Sequence, residues 1–352
     1  MLLTRFVATR PRFEISQARS LEWLADVHAE AGAKRERIER ALRRVACGPD
    51  RIANRGQSLG EMDRIGATHE VFGGTAARMR RFCEVVDAYF EGAYAEEPVA
   101  PDDIVHVTCT GYASPNGAQK LVSRRGWSTT RVTAAYHMGC YAALPALRIA
   151  QGFVAVGQAR VDLVHTELCS LHFRPGDHSL EQLVVQSLFA DGMIRYCAVR
   201  DQGTRGLAVL ALHERVLPDS SEAMTWTVGD HGMQMTLSRD VPDRIASSLR
   251  GFVTELLRKA GRDVGDLKRA IVAVHPGGPK IIDRVREVLE LDEAQVAESR
   301  RVLFDYGNMS SATLPHIWMR LAEDPRVPAG TLIPTFAFGP GLTVTGALLE
   351  KR

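Results

Sequence analysis

Three residues far apart in the chain carry side chains with chemistry: Cys140, His275 and Asn308. Cys140 follows Gly139 at the expected first turn of a helix rich in small residues, Gly-Cys-Tyr-Ala-Ala-Leu-Pro-Ala. A helix N-terminus favours a thiolate through its dipole and its free N–H groups. Pro145 is tolerated near such a start. The plain alternative for Cys140 is a buried, inert thiol. His275 stands in Val-His-Pro-Gly-Gly-Pro, on a stiff turn after the apolar run Ile271–Val274. An imidazole titrates near neutrality and suits acid–base work; the alternative is a satisfied turn histidine. Asn308, in Tyr-Gly-Asn-Met-Ser-Ser-Ala, would ordinarily cap a helix. Its amide can instead donate to a developing oxyanion.

Cys, His and Asn together permit two chemistries. One is thiol hydrolysis, with Asn orienting His; the papain-type surroundings of the cysteine are absent. The other is acyl transfer with carbon–carbon bond formation. The thiol then carries an acyl group as a thioester, while His and Asn hold the enolate oxygen of a second substrate.

The elements that must position these residues are legible as patterns. Helices are expected over 16–31, 35–45 and 75–94, so the first hundred residues read as mainly helical. Glu96 to Asp103 is acidic and proline-rich, a loop. From there strands alternate with helices: strand 104–109, strand 129–135, helix 140–151, strand 160–164, and later strand 271–274 and helix 280–289. That alternation predicts an α/β layered fold. The order repeats. Gly139-Cys140 and Gly307-Asn308 each open a helix whose small residues lead to Leu-Pro, at an offset of 168, and Val107 and Val274 are 167 apart. An internal duplication follows, with halves 1–205 and 206–352. It places Cys140 and Asn308 at equivalent positions across a pseudo-twofold axis.

Composition narrows the classes further. With 44 basic against 42 acidic residues, the 352-residue chain has a net charge of +2, too little for a nucleic-acid binder. No run of 18 apolar residues exists, so no membrane helix is expected. The N-terminal stretch lacks the apolar core of a secretory signal. The six cysteines, Cys47, Cys83, Cys109, Cys140, Cys169 and Cys197, form no CxxC pair. Free thiols in a reducing cytoplasm are expected, with no metal site and no bound cofactor.

Five ordered motifs resemble one family. They are Gly-Cys-Tyr-Ala-Ala, Leu188-Phe189-Ala190-Asp191-Gly192, Val-His-Pro-Gly-Gly-Pro, Gly-Asn-Met-Ser-Ser-Ala and Gly339-Pro340-Gly341-Leu342-Thr343. Their order and spacing are similar to the type III polyketide synthases, the chalcone-synthase-like enzymes, from about Asp103 to the C-terminus and more weakly before it. The resemblance implies the thiolase fold, βαβαβαββ halves stacked as five αβαβα layers. It also implies a cytoplasmic homodimer and Claisen condensation of phosphopantetheine thioesters on Cys140 with His275 and Asn308. Phe189 falls at the family's gatekeeper position and Met235 at the second. The cyclisation network maps onto Cys109, Glu167 and Ser310, with a cysteine where the plant enzymes have threonine. Cys169 falls at a cavity position where a small residue gives room for a long acyl chain.

The coenzyme A entrance maps onto Arg51 and Arg55, without the family's full basic set. An acyl carrier protein needs fewer such contacts and would meet Arg78, Arg80 and Arg81. Gly-Cys-Tyr-Ala-Ala-Leu-Pro-Ala and His165-Thr166-Glu167-Leu168-Cys169 are also similar to the stand-alone ketosynthases that join two carrier-bound chains into the α-pyrone of corallopyronin- and myxopyronin-type antibiotics. Within the same superfold, a ketoacyl carrier synthase of the third type and a hydroxymethylglutaryl synthase are the competing readings. A non-catalytic partner subunit is disfavoured by the intact Cys, His and Asn.

Overall fold

A computed structural model describes residues 1–352, the side chain of Asp63 apart. In chain order the strands are β1 (Leu2–Thr9), β2 (Phe13–Ser16), β3 (Asn54–Gln57), β4 (Asp103–Thr108), β5 (Arg131–Tyr136), β6 (Arg160–Leu168), β7 (Asp191–Val199), β8 (Leu207–Val216), β9 (Met224–Gly229), β10 (Gly232–Leu237), β11 (Ala273–Val274), β12 (Leu332–Gly339) and β13 (Thr343–Lys351). The α-helices are α1 (Gln17–Glu30), α2 (Arg35–Val45), α3 (Thr75–Ala93), α4 (Gly117–Arg125), α5 (Ala143–Ala155), α6 (Leu180–Leu188), α7 (Val241–Lys259), α8 (Pro279–Leu289), α9 (Ala297–Tyr306) and α10 (Thr313–Glu323).

Nine strands form one mixed sheet in the order β11-β12-β13-β8-β1-β7-β6-β4-β5. β4 runs parallel to both neighbours and β11 parallel to β12; the other pairings are antiparallel. Alternation of apolar residues sends side chains to both faces of each half. Val105, Val107, Val161 and Ile194 of the first half face a middle layer, and so do Ala337, Ala347 and Leu349 of the second. That layer is α5 and α10, through Leu144, Leu147, Leu314, Ile317 and Trp318. Outside the first half lie α1 to α4, with Trp23, Ile38, Phe82 and Phe90 packed on Ile104 and Val164. Outside the second lie α7 and α8, with Leu249, Phe252 and Ile282 packed on Phe336 and Leu348. The result is the expected α/β fold in five layers, αβαβα.

The N-terminal region is less purely helical than its pattern predicts. β1 is central in the sheet and joins the two halves, pairing with β7 along its length and with β8 through Leu2 and Leu3. Arg5, in the left-handed region at φ 54°, breaks its register, so no clean period of two marks it in the sequence. α5 starts at Ala143 rather than at Cys140, which leaves Cys140 in the turn ahead of the helix. No helix among the described residues is long and apolar enough to cross a membrane.

Candidate active site

Cys140 reaches its place through a tight turn after β5. Gly139 adopts φ 84°, and a Cβ there would lie 2.8 Å from Pro340 Cδ, so only glycine lets the cysteine turn meet the end of β12. Asn308 enters from the other half. Its backbone pairs with the end of α6: Asn308 N–H donates to Leu188 O at 3.0 Å, and Ala190 N–H donates to Asn308 O at 2.8 Å. Gly307, at φ 74°, makes this approach possible; a side chain there would press on Ala190 and Leu188 O. Asn308 is thus not a helix cap. A 3₁₀ turn, Ser310–Ala312, separates it from α10.

The amide of Asn308 is fixed by its own acceptor. Asn308 Oδ1 takes the N–H of Ser310 at 2.9 Å, which turns the amide nitrogen the other way. That Nδ2 is buried with no protein partner among the described residues. His275 follows β11 and is anchored by its N–H to Phe336 O at 2.8 Å. Its ring is buried, and neither nitrogen has a partner among the described residues. The turn after it packs on Leu188, the residue whose carbonyl holds Asn308. Buried donors left unpaired cost about 1–3 kcal/mol each. Three such atoms within one fold region mark a place built for a ligand.

Burial pushes the Cys140 thiol up to about 12, opposed by the Ser310 hydroxyl and by the nearby Asn308 amide. It pushes the His275 imidazole down to about 3. Ionising either group alone is therefore disfavoured. Cys140 precedes the helix and is only 7% exposed, so the helix terminus, expected to keep the thiol ionised together with an ion pair to His275, does not offset its burial. The Ser310 and Asn308 donors favour a sulfur anion at Cys140 over the neutral thiol.

In front of Cys140 lies a cleft. Cys109, Cys169, Phe189, Met235 and Ser310, all anticipated from the sequence, line it with Cys140. Glu167 lies behind this wall and is fully buried. Its carboxyl receives the Cys109 N–H at 3.2 and 3.1 Å and the Thr110 hydroxyl at 3.0 Å, and also the Ser311 hydroxyl. Burial still raises it to about 7. From Glu167 a chain of contacts runs forward: Cys109 Sγ is 3.5 Å from the carboxyl and 2.8 Å from Ser310 Oγ, which donates to Cys140 Sγ at 3.7 Å.

Two arginine expectations are corrected. Arg55 does not face an entrance. It is 3% exposed, and its guanidinium donates inward to Gln17 Oε1, Gln186 O, Phe189 O and Ser20 Oγ. It ties α1 to α6 and to the gatekeeper backbone. Arg78 is also buried, bound to Leu171 O and Phe173 O, so of the three arginines expected to face a carrier only Arg80 is exposed and Arg81 is half-buried. Arg51 stays at the surface beside Asp50.

Apart from Met235, sequence reasoning missed the other wall of the cleft. The β9–β10 hairpin brings Met224, Trp226, Met233 and Met235 to it, with Trp226 directly opposite Met235. Trp226 Nε1–H donates to Cys109 O at 2.6 Å, and Trp226 O accepts from His137 Nε2 at 2.8 Å. His172 takes the Met233 N–H on Nδ1 at 3.0 Å, so its Nε2–H donates to Thr110 O at 2.8 Å. The signal was the alternation of Met224 with Trp226 and of Met233 with Met235, which puts all four on one hairpin face. Among the described residues, no group of three or more His, Cys, Asp or Glu side chains is placed to hold a metal ion.

Five layers around a cavity cysteine define the class: a thiolase-fold chain with a candidate nucleophile at its middle layer. Residues 96–199 match the chalcone and stilbene synthases, N-terminal domain, and residues 209–351 the C-terminal domain of the same family. The chain is 31% identical over 265 residues to type III polyketide synthase C of Arabidopsis thaliana, covering 72% of this chain and 69% of that protein. It is 32% identical over 256 residues to probable polyketide synthase 1 of Dictyostelium discoideum, covering 70% of this chain and 8% of that much longer protein. Among solved structures it is similar to the C-terminal type III polyketide synthase domain of Steely1, a Dictyostelium type I/III hybrid, with a TM-score of 0.86, 25% identity and 99% of each chain covered. The chain belongs to the type III polyketide synthases, a family of acyltransferases.

Proposed function

We propose that this chain is a ketosynthase that joins two acyl thioesters by Claisen-type condensation on Cys140 and closes the product to an α-pyrone. The observation that carries the reading is the cleft thiol of Cys140 with the unpaired Asn308 amide close by, together with a buried His275 ring whose two nitrogens have no partner among the described residues. Cys140 attacks the first thioester as its proton passes to His275. The Cys140 S–C bond forms, the donor C–S bond breaks, and the pantetheine thiol leaves with the proton. The second thioester becomes an enolate by losing carbon dioxide or an α-proton. Asn308 and a protonated His275 nitrogen donate to that oxygen; one such donor lowers the barrier by about 3 kcal/mol. The carbanion carbon then attacks the acyl-Cys140 carbonyl and expels the sulfur.

In the later ring closure an enol oxygen attacks the remaining thioester, with Glu167 as base. Its pKa of about 7 suits that role at neutral pH. The phosphopantetheine arm belongs to the substrates, and the scheme calls for no bound cofactor.

The apolar lining by Met224, Trp226, Met233 and Met235 suits an acyl chain, and Cys169 leaves room for a long one. Burial of Arg55 removes a phosphate contact from the nucleotide end of coenzyme A, which favours a carrier-protein donor over acyl-coenzyme A. We read the frame as two duplicated halves, 1–205 and 206–352, in a cytoplasmic homodimer, the first giving the nucleophile and the second the donors. The test is product analysis with paired acyl donors on coenzyme A and on a carrier protein. A pyrone of the summed mass less both thiols (and less carbon dioxide, if it is lost) supports the reading. Free acid as the sole product overturns it.

A further inference from the structure

His165 and Tyr196 are buried polar side chains that the condensation does not use. His165 lies on β6 two residues before Glu167, on the same face of the strand. Its Nε2 is 3.2 Å from Tyr196 Oη, its Nδ1 is 3.1 Å from Ser311 Oγ, and Ser311 donates to Glu167 Oε1. The two rings stack with centroids 5.7 Å apart and planes 14° apart. All four side chains are fully buried.

The protons in this row can be placed. The Tyr196 hydroxyl has one partner, His165, so its proton goes to Nε2. The ring then carries its own proton on Nδ1 and donates to Ser311 Oγ. With that lone pair taken, the Ser311 proton is left for the carboxyl. The opposite tautomer would leave the tyrosine proton buried and unpaired, and would draw the serine proton away from Glu167. Thr110 is fixed in the same manner, since the Leu168 N–H occupies its oxygen at 2.9 Å and aims its proton at Glu167.

We propose that His165 and Tyr196 are a positioning pair that aims the Ser311 hydroxyl at Glu167 and so sets the protonation state of that carboxyl. The groups around the row supply no competing cation. Cys109, Cys140 and Cys169 face Glu167, while His106 of β4 and His316 of α10 face His165. Burial drives His106 and His165 to about 3 and His316 to about 4, so all three are neutral at pH 7. Donor hydroxyls and the Cys109 N–H hold the carboxylate, and one of those hydroxyls is controlled from Tyr196.

The inference rests on Glu167 being the group that serves ring closure, so its test reads the carboxyl directly. The protonated carboxyl band is followed against pH by difference infrared spectroscopy and assigned by its loss in Glu167→Gln. The native midpoint lies near pH 7. Tyr196→Phe frees His165 to take the other tautomer, whose Nδ1 competes for the Ser311 proton, and raises the midpoint by about one pH unit, the effect of losing one hydrogen bond to a charged group. His165→Phe removes that competitor, leaves the Ser311 proton to Glu167 and keeps the native midpoint. A native midpoint in folded Tyr196→Phe, or a raised one in folded His165→Phe, overturns the proposal. The ratio of pyrone to open-chain product is measured over the same pH range. If the midpoint moves and the ratio does not follow, the positioning pair stands and the role of Glu167 in closure falls.

Discussion

Cys109 and Cys140 flank one hydroxyl: Ser310 Oγ lies 2.8 Å from Cys109 Sγ and 3.7 Å from Cys140 Sγ. The candidate nucleophile is thereby linked to Glu167, 3.5 Å beyond Cys109 Sγ. Ser310 is held for this contact in the left-handed region, at φ 48°, with its N–H on Asn308 Oδ1. One short turn therefore fixes both the Asn308 amide and the link to the carboxyl.

Asn308→Ala should leave acyl loading of Cys140 intact and slow condensation by roughly a hundred- to a thousand-fold, the usual cost of one oxyanion donor. Loading is followed by intact mass and condensation by product formation. Equal losses in both steps would place Asn308 outside the enolate site.

His275→Gln should slow alkylation of Cys140 by iodoacetamide at pH 7 by at least about ten-fold. Burial holds the thiol near 12, and the variant removes the base that accepts its proton. An unchanged rate would mean that the imidazole does not serve the sulfur.

The fold and the reacting trio were legible for different reasons. Buried strands such as β4 and β6 carry apolar residues on both faces, and the Gly139-Cys140 and Gly307-Asn308 signals stand just ahead of α5 and α10, so the layers could be read from pattern. The trio stood out because Cys140, His275 and Asn308 each follow a glycine or end a strand. Arg55 and Arg78 were misread because charge suggests a surface, whereas each guanidinium is spent on buried carbonyls. Trp226 was missed because a half-exposed hairpin carries little hydrophobic signal, and its role depends on a bond to Cys109 O, 117 residues away in the chain. The His165–Tyr196 pair was invisible for a similar reason: strand pairing across β6 and β7 creates it.

Glu167 should leave a mark on stability. Its folded pKa, about 7, lies above its ordinary 4.5, so between those values the folded chain keeps a proton that the unfolded chain releases. The stability this contributes is complete below pH 4.5 and is lost as pH rises through 7, at most ~3 kcal/mol. Asp191, raised to about 6, acts in the same direction, while the buried histidines act oppositely as pH falls below 6.5. Urea unfolding should show a larger gain in stability from pH 5 to pH 8 in Glu167→Gln than in the native chain, because the variant lacks the contribution that opposes the histidines. An identical difference would contradict a carboxyl that titrates near neutrality.

Trp226→Ala should widen the cleft and break the Nε1–Cys109 O bond. Competition between acyl donors of increasing length should move towards the longer ones, by a few-fold per added methylene at about 0.8 kcal/mol per buried CH₂. Unchanged length preference would show that the hairpin wall does not touch the acyl chain.

Intact-protein mass spectrometry after incubation with a long-chain acyl thioester tests the central claim most directly. The native chain should gain the mass of one acyl group, mapped by proteolysis to Cys140, and Cys140→Ala should gain none while Cys109→Ala still loads. An acyl group carried by Cys140→Ala at the native rate, or mapped to Cys109 or Cys169 in the native chain, would contradict the assignment of Cys140 as the nucleophile.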